Sequence, residues 1–313
     1  MSAGPGASLE DLVAGLERRL RSSFPGRLRG IYLLGSRAAG RNLPGSDVDL
    51  GLVFSGLLDR TARDQVWSAA KAAADGGPHL VDLTLLDDAD LARGVKPYAK
   101  EGRLLAGEDA LAGCPLLPPG ALLAAYALSG LYYLWLVRGQ PEALPRPLAF
   151  PSPAGEFRGY EEAGIWVARE RFAPGFNTLH NLVASIGNFR IGAAAGFFFG
   201  SKHDTAAHYR RLLPADPWEP MLAEIQEICR GRWSGAVPPP GEDRRRLAQW
   251  CGRMPEFENL FLGEMIPQLP RLAAAAGPDV RARLARFLPR LRGLSEAEER
   301  ALESSRRTLA GGG

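Results

Sequence analysis

The chain has 313 residues, 46% of them apolar and 23% charged, with a formal net charge of +3. That length admits one large domain or two ordinary ones, and that balance is typical of a globular protein. The charge is too small for a dedicated DNA binder, whose basic footprint is larger and clustered. Three separated cysteines, Cys114, Cys229 and Cys251, exclude a CxxC zinc ribbon and a disulfide framework. With no basic-then-apolar leader in "MSAGPGASLEDL", the expectation is a cytoplasmic protein.

In chain order, residues 8–22 predict an amphipathic helix, with Ser8 and Asp11 in a capping pattern. "RGIYLLG" predicts a strand running into a Gly-Ser turn, and "VDLGLVF" a second strand. "DRTARDQVWSAAKAAAD" predicts a helix stopped by "GGP", followed by a third strand, "HLVDLTLL". A short helix and "EGRLLAGEDAL" complete the first unit. "CPLLPPG" marks a boundary, beyond which helices are expected over 120–138, 160–171, 176–195, 203–213, 217–231, 241–252, 256–267, 279–290 and 294–308. Residues 116–137 carry no charge over a membrane-spanning length, but their prolines, glycines and tyrosines favour a buried bundle helix. The run 157–172, with Glu161, Glu162, Glu170, Tyr160 and Trp166, could line an acidic, aromatic pocket for a polycation, but reads in preference as an ordinary charged helix face. The expected fold class is α+β: a mixed sheet with flanking helices over 1–114, an all-helical domain over 115–295, and a C-terminal helix with a flexible tail over 296–313.

Aspartates interrupt two of the expected strands. Alternation turns Asp47 and Asp49 to one side and Val48 and Leu50 to the other. Like charges that close call for a neutralising partner, and a divalent cation such as Mg²⁺ takes such oxygen ligands together with substrate phosphates. Asp82 joins the same edge if the second and third strands are neighbours. Three carboxylates can hold two metals, or hold one and supply a base. Gly35 permits close approach to a phosphate, and a helix opening at Ser36 would turn its N–H groups to an anion. Arg37, Arg41 and Ser46 share that loop. Together these features describe a site for a nucleoside triphosphate.

Gly35-Ser36, ten residues, Asp47-x-Asp49 on a strand and Asp82 on a later strand resemble the DNA polymerase β-type nucleotidyltransferase superfamily. The resemblance implies a nucleotidyltransferase-type sheet, ATP as co-substrate and Mg²⁺ held by Asp47 and Asp49. It also implies in-line attack of a hydroxyl on the α-phosphate, with Asp82 as base or further metal ligand. The helical half, through "GSKHDTAAHY" and the helices around it, is similar to streptomycin/spectinomycin-type aminoglycoside adenylyltransferases. By that likeness Arg190 and Lys202 would reach the nucleotide across an interdomain cleft. The expected function is transfer of AMP to a hydroxyl of a small-molecule acceptor, an aminoglycoside being a candidate, with antibiotic resistance as the consequence. The alternative is an antitoxin-like enzyme that modifies a protein or RNA partner. No membrane or nucleic-acid partner is expected, and the protein is expected as a monomer or dimer.

Overall fold

In the computed structural model, which describes residues 8–42, 46–75, 80–168 and 171–310, Ser8 caps the first helix. The expected "GGP" stop, the strand start at His79 and the terminal glycines lie outside the described residues. The chain divides into two compact units, residues 1–117 with 199–201 and residues 118–198 with 202–313.

In the first unit α1 (Leu9–Ser23) starts in a capping box, with the Ser8 hydroxyl accepting the Asp11 N–H and the Asp11 carboxylate accepting the Ser8 N–H. It buries Leu12, Val13, Leu16 and Leu20. The elements that follow are β1 (Leu28–Leu33), the single turn α2 (Gly35–Ala38), β2 (Val48–Phe54), α3 (Arg60–Ala74), β3 (Val81–Leu86), α4 (Asp88–Arg93), α5 (Pro97–Lys100) and β4 (Arg103–Gly107). They form a four-stranded sheet of order β3-β2-β1-β4, with β1 antiparallel to both neighbours and β2 parallel to β3. Parallel strands need a crossover, and α3 supplies it, capped by the Asp59 carboxylate on the Ala62 N–H. Leu16, Leu20, Ile31, Leu50, Leu52 and Phe54 are fully sealed beneath the sheet. Each contributes roughly 1.5–3 kcal/mol by its burial.

The second unit is largely helical. α6 (Pro119–Val137) is long and apolar enough to cross a bilayer by length and composition, but it packs along a partner helix, and its buried residues include Leu122, Ala124, Leu128 and Leu134. That partner, α7, comes after β5 (Leu144–Pro145) and a hairpin, β6 (Glu162–Ala168) with β7 (Arg171–Gly175). α7 (Asn177–Ala195) and α8 (Thr205–Leu212) lead to α9 (Glu219–Gln226), whose last turn widens to a π-helix over Glu227–Arg232. α10 (Glu242–Cys251), α11 (Met254–Met265), α12 (Leu269–Ala275), α13 (Pro278–Phe287), β8 (Leu291–Arg292) and α14 (Glu296–Ala310) complete the unit.

The hairpin corrects the helix expected over 160–171, and with β5 and β8 it corrects the expectation of an all-helical domain. β6 and β7 pair antiparallel, with Ile165 opposite Ala173 and Trp166 opposite Phe172. Charges spaced along "YEEAGIWVARERF" imitate a helix face. The segment, however, holds the β-branched and aromatic run Ile165-Trp166-Val167 after the helix-weakening Gly164, and cross-strand pairing prevails over helical periodicity. β5 pairs with β8 in parallel, a contact between residues too far apart in sequence to be foreseen.

Two buried titratable groups bear on the second unit's stability. Glu258 on α11 is fully buried and accepts from the Arg138 guanidinium (2.5 Å to Oε2) and from the Tyr160 hydroxyl (3.0 Å). His180 on α7 is buried and stacks on His203, with ring centroids 6.0 Å apart. Burial, then the positive charges of Lys202, Arg230 and His203, push its pKa well below the ordinary value. The folded protein therefore holds His180 neutral, while the unfolded chain takes up a proton near pH 6.5. Stability is retained above that pH and falls as the pH drops below it, by at most about 1.4 kcal/mol per pH unit. Urea unfolding of the wild type at about pH 7.5 and about pH 5.5 should show this loss, and His180→Leu should reduce it.

Candidate active site

The first unit brings three carboxylates together. Asp49 on β2 stands in direct register with Asp82 on β3, and Asp47 immediately precedes β2. One carboxylate oxygen from each of Asp47, Asp49 and Asp82 lies within 4.8 Å of the other two. The parallel β2–β3 pairing does this, since it sets equivalent side chains of neighbouring strands on one face. An all-oxygen set of three converging carboxylates fits a hard divalent cation such as Mg²⁺.

The electrostatics follow from the geometry. Burial, and then the charge of Asp47, raises the Asp82 carboxyl above its ordinary value, while the Leu83 N–H on Oδ1 (2.9 Å) opposes the shift. Beside the site, the Tyr98 hydroxyl shares a 3.0 Å hydrogen bond with Thr84 Oγ1. Burial, together with the charges of Asp49 and Asp82, holds that phenol above its usual value and so protonated. Neither residue was among the sequence candidates. Thr84 could have been found, because it lies two residues beyond Asp82 on the same face of β3. Tyr98 carries no local signal, since only the fold brings α5 to the carboxylates.

The turn after β1 explains Gly35. Its φ is +63°, in the left-handed region, and a Cβ there would fall on the Asp49 carboxylate, 2.9 Å from Cγ. The Leu34 N–H donates to the Asp49 carbonyl at 2.8 Å and ties the turn to β2. Gly35→Ala should therefore displace Asp49 and cost about 1–3 kcal/mol through backbone strain. The check is a melting curve beside a pyrophosphate-release assay, with both expected to fall.

The remaining sequence candidates are placed as follows. Ser36 lies in α2, a single turn that opens at Gly35, so its macrodipole is small. Arg37 clamps the loop, with Nε donating to the Asp47 carbonyl (3.0 Å) and Nη2 to the Ser46 carbonyl (2.7 Å). Ser46 thus sits in the loop that Arg37 holds. Arg190 and Lys202 lie in the second unit. Arg190 is ion-paired with Asp216 (2.8 Å) and Glu264 (2.9 Å) and touches the Tyr209 hydroxyl. Those carboxylates keep its guanidinium charged despite burial. Lys202 opens the 3-10 turn Lys202–Asp204 that leads into α8.

Comparison with known proteins bears on the first unit. A family model described as a nucleotidyltransferase domain matches residues 13–102. No curated protein matches the chain. Among solved structures, spectinomycin adenyltransferase AAD(9) from Enterococcus faecialis, with ATP and spectinomycin, aligns at 11% identity and a TM-score of 0.46. That alignment covers 80% of this chain and 99% of that one, and at this level of likeness no residue role is carried across from it. Residues 13–102, which hold Gly35, Ser36, Asp47, Asp49 and Asp82, thus resemble the nucleotidyltransferase superfamily in family match as well as in motif.

Proposed function

We propose that this protein transfers a nucleoside monophosphate, AMP from ATP, to a hydroxyl of a small-molecule acceptor, with aminoglycoside antibiotics the first acceptors to test. The observation that carries the reading is the convergence of Asp47, Asp49 and Asp82 beside the Gly35 turn, within the segment that matches the nucleotidyltransferase domain model. Asp47 and Asp49 would hold Mg²⁺, which when bound neutralises charge on the triphosphate. Gly35 leaves room for the Asp49 carboxylate, and Arg37 fixes the loop that carries Asp47. Asp82 takes the hydroxyl proton on Oδ2, since Oδ1 is engaged by the Leu83 N–H. The acceptor oxygen forms a bond to the α-phosphorus as the bond to the β-phosphate oxygen breaks, and pyrophosphate leaves. Positioning and charge neutralisation account for most of the rate in such transfers.

The test is an acceptor screen with labelled ATP and Mg²⁺, covering streptomycin, spectinomycin, kanamycin, RNA and total protein. Label on one of the small molecules, with pyrophosphate released, is the expected result. Label on RNA or protein instead would overturn the acceptor assignment in favour of the antitoxin-like alternative. No pyrophosphate with any acceptor would overturn the transfer reading itself.

A further inference from the structure

The second unit holds a cavity of about 840 Å³ that the nucleotidyl-transfer chemistry does not use. Its size lies in the range of small-molecule sites. Phe157, Trp233 and three prolines, Pro174, Pro238 and Pro239, form its apolar walls. Its charged lining is two glutamates and two arginines, and the arginines are engaged. Arg244 is spent on Glu156 (2.8 Å) and on the Pro238 carbonyl (2.9 Å), and it stacks over Phe157. Arg232 is spent on Glu227 and Asp243, and Asp243 also accepts from the Trp233 indole N–H (2.8 Å). Among the described residues the two arginines are thus paired with Glu156, Glu227 and Asp243, of which only Glu156 lines the cavity, and the other lining carboxylate, Glu161, has no ion pair. Among the described residues its Oε2 is sealed from solvent and has no hydrogen-bond partner. A buried carboxylate oxygen without a donor is costly, and such groups in native proteins usually have a partner.

The backbone around the cavity is strained in the same place. Of the described non-glycine residues with left-handed φ, Ser234 (+49°) lines the cavity and Arg158 (+58°) follows Phe157 in its wall. The π-helical turn Glu227–Arg232 feeds directly into the lining at Arg232 and Trp233. Left-handed residues and π-turns persist where surrounding structure holds them, and both concentrate at ligand sites.

We propose that this cavity binds a protonated primary amine carried on a hydrophobic ring, with Glu161 as its counter-charge and Trp233 and Phe157 against its apolar body. The unpartnered carboxylate calls for an N–H donor with positive charge, and the aromatic walls favour a cation and exclude a second anion. Because Oε2 is sealed in this structure, presenting it to the ammonium takes a rotation of the Glu161 side chain into the cavity that the residue lines. The inference goes beyond the proposed function and does not depend on it, because every described lining residue belongs to the second unit and no nucleotide is involved.

The experiment uses the full chain at about pH 7, without ATP or Mg²⁺, and reads binding by calorimetry and ligand-observed NMR. The probes are phenethylamine and its neutral counterpart 2-phenylethanol. Phenethylamine should bind, and 2-phenylethanol should bind more weakly by about tenfold or more, the loss expected for a hydrogen bond between charged groups. Glu161→Gln should weaken phenethylamine by a similar factor and leave 2-phenylethanol unchanged. Trp233→Leu should weaken both probes, which keeps a variant test in hand should Glu161→Gln fail to fold. Equal binding of amine and alcohol, full affinity in Glu161→Gln, or no binding of phenethylamine would each overturn the proposal.

Discussion

Asp47→Asn and Asp49→Asn are each expected to lower Mg²⁺-dependent pyrophosphate release by roughly 10²- to 10³-fold, the scale seen when one preorganised electrostatic group is removed from a reacting centre. Asparagine keeps the size of the side chain but removes its charge and one of its two ligand oxygens. The three carboxylates crowd one another within 4.8 Å, so losing one charge relieves repulsion and should not destabilise the fold. Circular dichroism and the melting temperature should therefore match the wild type while turnover collapses. That separation makes the test decisive. A variant that keeps full turnover removes Asp47 or Asp49 from the chemistry, whereas one that loses both turnover and fold would assign the residue a structural role.

Glu258→Ala is expected to be the most destabilising single change in the second unit. It leaves the Arg138 guanidinium, whose side chain is 8% exposed, buried without its counter-charge, and it deprives the Tyr160 hydroxyl of its acceptor. Removing one partner of a buried pair costs about 3–5 kcal/mol, whereas replacing both by apolar groups of similar volume is often close to neutral. The double variant Arg138→Met/Glu258→Met should therefore recover most of what Glu258→Ala loses. Urea unfolding of the three proteins checks both expectations. The pair ties α6 to α11 across 120 residues of chain, so its loss should loosen the bundle and not only one helix end.

Much of the first unit was legible in the sequence because its signals are local. The Ser8–Asp11 box, the Gly-Ser turn and the two apolar runs each need only a few consecutive residues to be recognised. β4 was missed as a strand because it is a short edge strand of five residues without apolar–polar alternation, held by backbone pairing to β1. In the second unit the strongly periodic helices were legible. The hairpin β6–β7 was not, because its charges fall at helical spacing while its stability comes from partners on the opposite strand. The run 157–172, read as a charged helix face, instead supplies Glu161 and Phe157 to a cavity and Glu162 to the Thr178 N–H at the start of α7.

By itself the sequence determined that Asp47 and Asp49 share a side, that glycine precedes them in a turn, and that a third aspartate interrupts a later apolar run. Those conclusions rest on strand alternation and on the conformational freedom of glycine, both properties of neighbouring residues. Only the tertiary structure decided that Asp82 stands in register with Asp49, that Gly35 is required because Asp49 occupies the space of a Cβ, and that Arg37 is spent on the loop carbonyls. It alone paired Arg190 with Asp216 and Glu264 and placed Glu161 in a cavity lining with its Oε2 sealed and, among the described residues, without a hydrogen-bond partner. The reason is physical: register, ion pairing and burial are set by residues tens of positions apart, whose encounter depends on the packing of the whole unit and on no local preference.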